Sequence, residues 1–310
     1  MVKRNIYAQI SSNNRKIVAL VLLFPIALLF FVGGGLFLFA LACDPQTRRD
    51  LMNVFLTVIP WIFALCTLLT ILSVVYGDKM MLSFADAELC DEKNKNYKRV
   101  FNAVENVALA AGLPTPKVYI INDSLLNAFA TGLTPQTASV ALTSGIIEKL
   151  EPLELQAVIA HEMAHIKNRD VSLNMYIVTG IGIIGLVGEI ILRTVGRSRR
   201  SSKKGHLEAV LLLVAILFLL FRYLVSPFIH MAISRKQEFQ ADATGAYFTR
   251  NPLALASALK KISKDPRVEA LDTSTQMATV CIYNPLSKLN SLLDTHPPVA
   301  ERIQRLNEMT

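Results

Sequence analysis

His161-Glu162-Met163-Ala164-His165 places two histidines four positions apart, with a glutamate directly after the first. In an α-helix, positions i and i+4 lie on one face, so both imidazoles can bind one metal ion. The residues just before this stretch are good helix formers, as the geometry requires. The pattern predicts one zinc ion per chain, with Glu162 as the general base that acts on a zinc-activated water. The alternative is a pair of surface histidines on an amphipathic helix.

A catalytic zinc usually takes three protein ligands and leaves one position for water. The metzincin extension of the motif fails, because this chain has Asn168 and Val171 where glycine and histidine are needed. Glu238, in a later helical stretch, is the preferred third ligand. Asp242 lies four residues further on the same face and is predicted to accept the second ring N–H of a ligating histidine. The alternative for both acids is a solvated helix face.

Two long uncharged runs dominate the N-terminal part of the chain. Ile17–Cys43 and Leu51–Gly77 contain 27 residues each, and a helix needs about 20 apolar residues to cross a bilayer. They predict two transmembrane helices within residues 1–77. Basic residues before the first run orient the N-terminus towards the cytoplasm, so that after two crossings His161 is cytoplasmic as well.

A second pair of apolar runs, Val171–Leu192 and Ala209–Ser234, predicts a helical hairpin over residues 171–234. The loop between the runs is strongly basic and opposes export under the positive-inside rule, so the hairpin is either transmembrane or membrane-associated. Each run has one charged interruption, Glu189 and Arg222. In a straight hairpin these lie about 5 Å and about 20 Å from the loop end, which predicts that they do not pair at one level.

The composition excludes several classes of protein. Hydrophobic residues make up 52% of the chain, too many for an ordinary soluble domain. The net charge of +8 is explained by membrane orientation, so no nucleic-acid partner is expected. The four cysteines have no C-x-x-C spacing, which argues against a cysteine metal site or a disulfide framework.

The order of local patterns predicts a mainly helical α+β fold. Residues 78–100 are charged and are interpreted as a solvated stretch. Val100–Ala111 has apolar residues at helical spacing, which predicts a helix that ends at Gly112. Three short strands are predicted next, at Lys117–Asn122, Asn127–Gly132 and Ala138–Thr143. Helices follow at Ser144–Leu150, where Ser144 is the expected cap, at Pro152, at Ser234–Phe248, at Asn251 and at Thr295–Met309. The catalytic domain is expected in two parts, residues 78–170 and 235–310.

Four separated motifs together resemble the HtpX family of membrane-bound zinc metalloendopeptidases: His161–His165, Glu238 with Asp242, Asn127–Gly132 and Asp294–Pro298. The related CAAX prenyl endopeptidases share the zinc-site pattern but have more transmembrane helices. The resemblance covers nearly the whole chain. It implies a zincin-type, gluzincin-like domain fused to transmembrane helices. It also implies a bacterial inner-membrane protease that faces the cytoplasm and acts on membrane or misfolded proteins in quality control.

The resemblance also implies roles for residues outside the zinc motif. Asn127, Ala128 and Phe129 match the family segment that lines the substrate cleft, where an extended peptide can add to a strand edge. The alternative is an ordinary core hairpin. His296 resembles a late family histidine that can donate a hydrogen bond to the oxyanion. Its alternative is a helix start with prolines in the first turn.

Two other functions remain open at this point. A membrane scaffold or holdase could retain a structural zinc, but structural sites are closed by four protein ligands, and no fourth Cys or His lies near the three in sequence. A zinc hydrolase of a small lipid-like substrate is the second alternative, raised by the CAAX likeness.

Overall fold

The computed structural model describes residues 2–41, 44–91, 93–94, 97–198, 206–232, 235–264 and 297–309. The chain divides into two compact units. The first, here called the α+β unit, comprises Met1–Lys16, Tyr76–Met175 and His230–Thr310. The second, here called the helical unit, comprises Ile17–Val75 and Tyr176–Ile229.

The described residues are mainly helical and include one small sheet, which confirms the expected mixed class in its general form. The helices are α1 Val2–Leu41, α2 Pro45–Phe84, α3 Lys98–Ala111, α4 Ser144–Lys149, α5 Pro152–Asn168, α6 Asp170–Ser198, α7 His206–Ala232, α8 Arg235–Thr249, α9 Pro252–Ile262 and α10 Val299–Asn307. The strands are β1 Ala87–Leu89, β2 Lys117–Ile121, β3 Ala128–Thr131 and β4 Ser139–Thr143.

The sheet has the order β1-β2-β4-β3, with β2 and β4 parallel and the other pairs antiparallel. Strand β3 therefore lies at one edge. Residues 78–100, interpreted as a solvated stretch, also contain regular structure that was not predicted: α2 continues to Phe84, and Ala87–Leu89 pairs with β2. A three-residue edge strand with mostly exposed side chains carries too little alternation to be recognised in sequence.

The two faces of the sheet have different neighbours. Val140 and Leu142 belong to a buried core with Val158, Ile159 and Met163 of α5. The opposite face is smaller, with Phe129 and Ala141 packed on Leu82 of α2. Helix α5 thus lies against the sheet, and the motif within it is held by apolar contacts on the side facing β4 and β3.

Several helix ends lie where the sequence predicts them. Gly112 ends α3 with a φ of 62°, a left-handed conformation that glycine adopts without steric cost. Pro152 opens α5, and Asn251 caps α9 by accepting from the Ala254 N–H. The expected cap of α4 is wrong: the Thr143 hydroxyl, not Ser144, accepts from the Ile146 N–H.

The helical unit has its own apolar core. Leu28 and Val32 of α1 pack with Val214 and Phe218 of α7, all almost fully buried. No described helix holds a stretch that is both long enough and apolar enough to cross a membrane.

Glu189 and Arg222, the charged residues within the two later apolar runs, lie close to each other, contrary to the prediction. Arg222 Nη1 lies 4.0 Å from Glu189 Oε1. The Arg222 side chain passes over Gly185, where an added Cβ would clash with Nη1. The prediction failed because a long arginine side chain above a glycine reaches along the neighbouring helix.

Candidate metal centre

Three side chains from two helices converge in the α+β unit. His161 and His165 lie on successive turns of α5, with their Nε2 atoms 3.2 Å apart and their rings nearly perpendicular. Glu238, in the first turn of α8, places Oε2 3.7 Å from His161 Nε2 and Oε1 3.5 Å from His165 Nε2. Two ligand atoms about 2.1 Å from one ion at a tetrahedral angle lie about 3.4 Å apart. The three side chains therefore have the chemistry and the spacing of a zinc site.

Close packing of the two ligand-bearing helices depends on a glycine. An added Cβ at Gly245 of α8 would lie 2.9 Å from the His161 backbone nitrogen and 3.0 Å from the Ala160 carbonyl carbon. Ala241, one turn earlier, is fully buried. Small residues on α8 thus let Glu238 approach the histidines of α5.

Each histidine has a carboxylate at its second ring nitrogen. Asp242 Oδ1 lies 3.0 Å from His161 Nδ1, and Asp170 Oδ2 lies 3.1 Å from His165 Nδ1. A carboxylate there favours the tautomer with Nδ1 protonated, which leaves the Nε2 lone pair for a metal. The sequence indicated Asp242 from its spacing to Glu238, but it gave no sign of Asp170.

Asp170 reaches His165 because the helix is interrupted between them. Helix α5 ends at Asn168, and Arg169 has a φ of 65° and a ψ of 18° before α6 begins. In an unbroken helix the residue five positions after His165 would lie on another face. Left-handed conformation is uncommon for residues other than glycine and asparagine, so the arginine at 169 gave no signal.

Arg302 of α10 is a further site residue that sequence reasoning missed. Its side chain is 1% exposed, and its Nε and Nη2 donate to Asp242 at 2.8 and 2.7 Å. Nη1 lies 3.4 Å from Glu238 Oε2. In the sequence this arginine is one of several charges in an amphipathic helix, and only the tertiary structure separates it from its exposed neighbours.

The pKa values of the carboxyl groups in this site are shifted because the groups are buried close to one another and to Arg302. Burial raises the pKa of Glu162 to about 8, with a further contribution from Glu238. Burial would also raise the pKa of Asp242, but the Arg302 charge and the contact with His161 outweigh it and lower that pKa to about 2. A divalent cation in the site would favour the Glu162 carboxylate.

The two histidines respond differently to the same environment. Burial lowers the pKa of His161. Burial acts in the same direction on His165, but Asp170 and Glu238 outweigh it and raise its pKa well above the ordinary value. A metal ion bound by His165 would take the place of a proton on its Nε2.

Strand β3 lies beside the predicted base. A hydrogen bond from the Ala130 backbone N–H favours the Glu162 carboxylate. Asn127 pairs with Thr143 of β4, and its side-chain oxygen accepts from the Ala128 N–H. The Phe129 side chain lies on the sheet face away from α5. His296 lies outside the described residues.

The chain is similar to a known protein family and to several known proteins. A family model described as Peptidase family M48 matches residues 94–310. A protein named Protease HtpX homolog from Caldanaerobacter subterraneus is 37% identical, with 100% of both chains covered. Another of that name from Bacteroides fragilis is 36% identical, with 98% of each covered. The crystal structure of S. mikatae Ste24p matches 92% of this chain and 65% of its own, with 21% identity and a TM-score of 0.48.

Proposed function

Because this chain belongs to peptidase family M48 and is a metallopeptidase, we propose that it is a membrane-integral zinc endopeptidase. Its substrates are membrane or misfolded proteins, and it acts in quality control at the bacterial inner membrane with the site facing the cytoplasm. The observation that carries the proposal is the buried cluster of His161, His165 and Glu238, whose ligand atoms all lie within 4.8 Å of one another.

These three residues would hold the metal. A bound zinc would supply Lewis-acid chemistry, lowering the pKa of a water molecule and polarising the peptide carbonyl. Asp242 and Asp170 orient the two imidazoles through Nδ1, at 3.0 and 3.1 Å. Such carboxylates raise ligand basicity and fix the ring planes.

Glu162 is the general base. It is next to His161 on α5 and is 4% exposed, and its pKa is affected by the charges of His165 and Glu238, so its carboxyl group lies near the ligand cluster. A base must be deprotonated when it acts, and a divalent cation held by the neighbouring ligands would favour the Glu162 carboxylate over the protonated form. Glu162 takes the proton from the attacking water and returns it to the leaving amine, so the carboxylate is regenerated in each cycle.

The free edge of β3 binds the substrate backbone. Asn127 forms a hydrogen-bonded pair with Thr143, and such pairs alternate along an antiparallel ladder. The backbone carbonyls of Ala128 and Ala130 therefore point to the outer edge, whereas the Ala128 N–H donates to the Asn127 side chain and the Ala130 N–H to Glu162. An extended peptide can add there as a further strand. Of the three residues that the family resemblance assigns to substrate binding, Ala128 offers its carbonyl, whereas the backbone groups of Asn127 and Phe129 pair with β4 and hold the strand in place. His296 donates to the oxyanion in this proposal, on the strength of the family resemblance.

The membrane anchor rests on the sequence. Ile17–Cys43 and Leu51–Gly77 are uncharged over 27 residues each. Each run exceeds the roughly 20 residues that a helix needs to span a bilayer. Residues 17–41 of the first run lie in α1, and the second run lies in α2.

A scaffold or holdase with a structural zinc is the alternative function. Structural zinc sites are closed by four protein ligands. Within the described part of the chain, the cluster that could hold a metal offers three: His161, His165 and Glu238. A site with three ligands and an adjacent buried glutamate favours hydrolysis.

Zinc analysis together with proteolysis tests the proposal. The full chain in detergent should contain one zinc and cleave a casein-type substrate, and chelator should abolish cleavage. Glu162→Gln should keep the zinc and lose activity by roughly 10²–10⁴-fold, the usual contribution of general acid–base catalysis. His165→Ala, as control, should lose both zinc and activity. A Glu162→Gln protein that cleaves at the wild-type rate would show that the base is wrongly assigned.

A further inference from the structure

Asn13 is a fully buried polar residue near the start of α1. Its relative exposure is 0%, whereas Asn14 beside it is exposed. Asn13 belongs to the α+β unit, which contains Met1–Lys16, and not to the helical unit. A buried amide is costly unless it is hydrogen-bonded, so its partners indicate what it does.

The partners of Asn13 are at the end of the motif helix. Its Nδ2 donates to the Asn168 carbonyl at 3.0 Å and to Asp170 Oδ1 at 2.7 Å. Gln237 Nε2, from α8, donates to the same Asp170 oxygen at 3.0 Å and lies 3.4 Å from Asn13 Oδ1. Asp170 Oδ1 is thus held by two amide donors from two different helices.

The other oxygen of Asp170 faces a proposed zinc ligand. Oδ2 lies 3.1 Å from His165 Nδ1. An aspartate carboxylate rotates freely about χ2 unless its oxygens are held. With Oδ1 fixed by Asn13 and Gln237, Oδ2 is fixed at His165.

We propose that Asn13 is a positioning residue of the metal site, which orients His165 through Asp170. The N-terminal segment of α1 is therefore part of the metal centre and not only a membrane anchor. Asn13 also satisfies the last carbonyl of α5, one of the four that a helix leaves without an intrahelical partner. This inference rests on the proposed zinc function, and the experiment separates the two.

The experiment measures zinc affinity of the full chain in detergent by competition with a chelator. Asp170→Ala should weaken zinc binding about 10- to 100-fold, the usual effect of losing a carboxylate that supports a ligating histidine. Asn13→Ala should weaken zinc binding about tenfold, because it leaves that carboxylate in place but less well oriented. Asn14→Ala is the matched control, exposed and one residue away, and should bind zinc within about twofold of wild type. Asn13→Asp keeps the shape but removes the donor and adds a second carboxylate beside Asp170, so it should be worse than alanine.

A mutant cycle tests whether Asn13 acts through Asp170. In an Asp170→Ala background, Asn13→Ala should cause no further loss of zinc affinity. The unfolding temperature of each variant in excess chelator gives the purely structural contribution. If Asn13→Ala lowers that temperature but leaves zinc affinity at the level of Asn14→Ala, the inference is overturned.

Two outcomes distinguish the inference from the function on which it rests. If the wild-type chain takes up no zinc, the proposed function fails. If the wild type binds zinc and Asn13→Ala binds it equally well, only the inference fails. If Asn13→Ala does not fold, Asn13→Ser replaces it, because serine keeps a hydroxyl donor on a shorter side chain. Its zinc affinity should lie between those of wild type and Asp170→Ala. A zinc affinity equal to that of wild type contradicts the role of Asn13.

Discussion

Replacing Arg302 by methionine should destabilise the metal-free protein by about 3–5 kcal/mol, the usual cost of breaking a buried ion pair by removing one partner. The guanidinium makes two hydrogen bonds to Asp242 and lies 3.4 Å from Glu238 Oε2. Methionine fills much of the volume but removes the cation that faces both carboxylates.

The pKa of Asp242 gives an independent magnitude. It is about 2 in the folded protein, against 3.8 for an ordinary aspartate. That difference corresponds to about 2 kcal/mol, and it already includes the opposing effect of burial, so the loss on removing Arg302 is larger. Because the folded-state pKa is lowered, this stabilisation is complete above about pH 4 and is lost as the pH falls through about 2.

Thermal unfolding near neutral pH, in excess chelator, measures the effect. Chelator is needed because a divalent cation would itself compensate the carboxylates. A loss of this size lowers the unfolding temperature by roughly 6–15 °C. Arg305→Met is the control: that side chain is half exposed and pairs with Glu301 on the surface of the same helix, so it should cost about 1 kcal/mol or less. An Arg302→Met protein no less stable than the control refutes the reasoning.

Two further predictions concern helix packing and acid stability. Gly245→Ala should push α8 away from α5 at the His161 backbone and weaken zinc binding about tenfold, whereas Gly182→Ala, where nothing lies within 4 Å, should not change it in a chelator titration. Burial would raise the pKa of Glu154, but hydrogen bonds, first from Lys261, lower it. Its stabilisation of about 1 kcal/mol is therefore present above its ordinary pKa of 4.5 and lost on acidification. The difference in unfolding temperature between wild type and Glu154→Gln should narrow as the pH is lowered from about 6 to below the ordinary pKa of 4.5, and a difference that does not change with pH contradicts it.

Features encoded locally were predictable from the sequence. The H-E-x-x-H spacing requires a helix, and Pro152 and Gly112 mark helix ends by their own backbone preferences. Glu238 and Asp242 followed from the donor set that zinc needs and from the i, i+4 rule, and the structure brings both next to the histidines. The resemblance to the HtpX family, drawn from four motifs, is confirmed by the family match and by relatives that cover the full chain.

Features that depend on tertiary structure were not predictable. Asp170 supports His165 only because Arg169 adopts a left-handed conformation. Arg302 differs from the exposed Arg305 only by the face of α10 that it occupies. Asn13 lies 157 residues from Asp170 in sequence, and an amide at that distance carries no local signal. None of these residues is a proposed zinc ligand. Asp170 contacts His165, Arg302 contacts Glu238, and Asn13 contacts Asp170.

The left-handed residue Arg169 between α5 and α6 has a consequence for protein engineering. Were residue 169 helical, the helix would continue unbroken through it, and Asp170, five steps of about 100° beyond His165, would be rotated about 140° around the helix axis. The chain thus retains a conformation that costs about 1–2 kcal/mol at the one point where straightening would turn the carboxylate out of the site. A redesign that selects for uninterrupted helices would replace Arg169 to remove this left-handed residue. The resulting protein would be more stable, but Asp170 would no longer support His165 in the proposed zinc site.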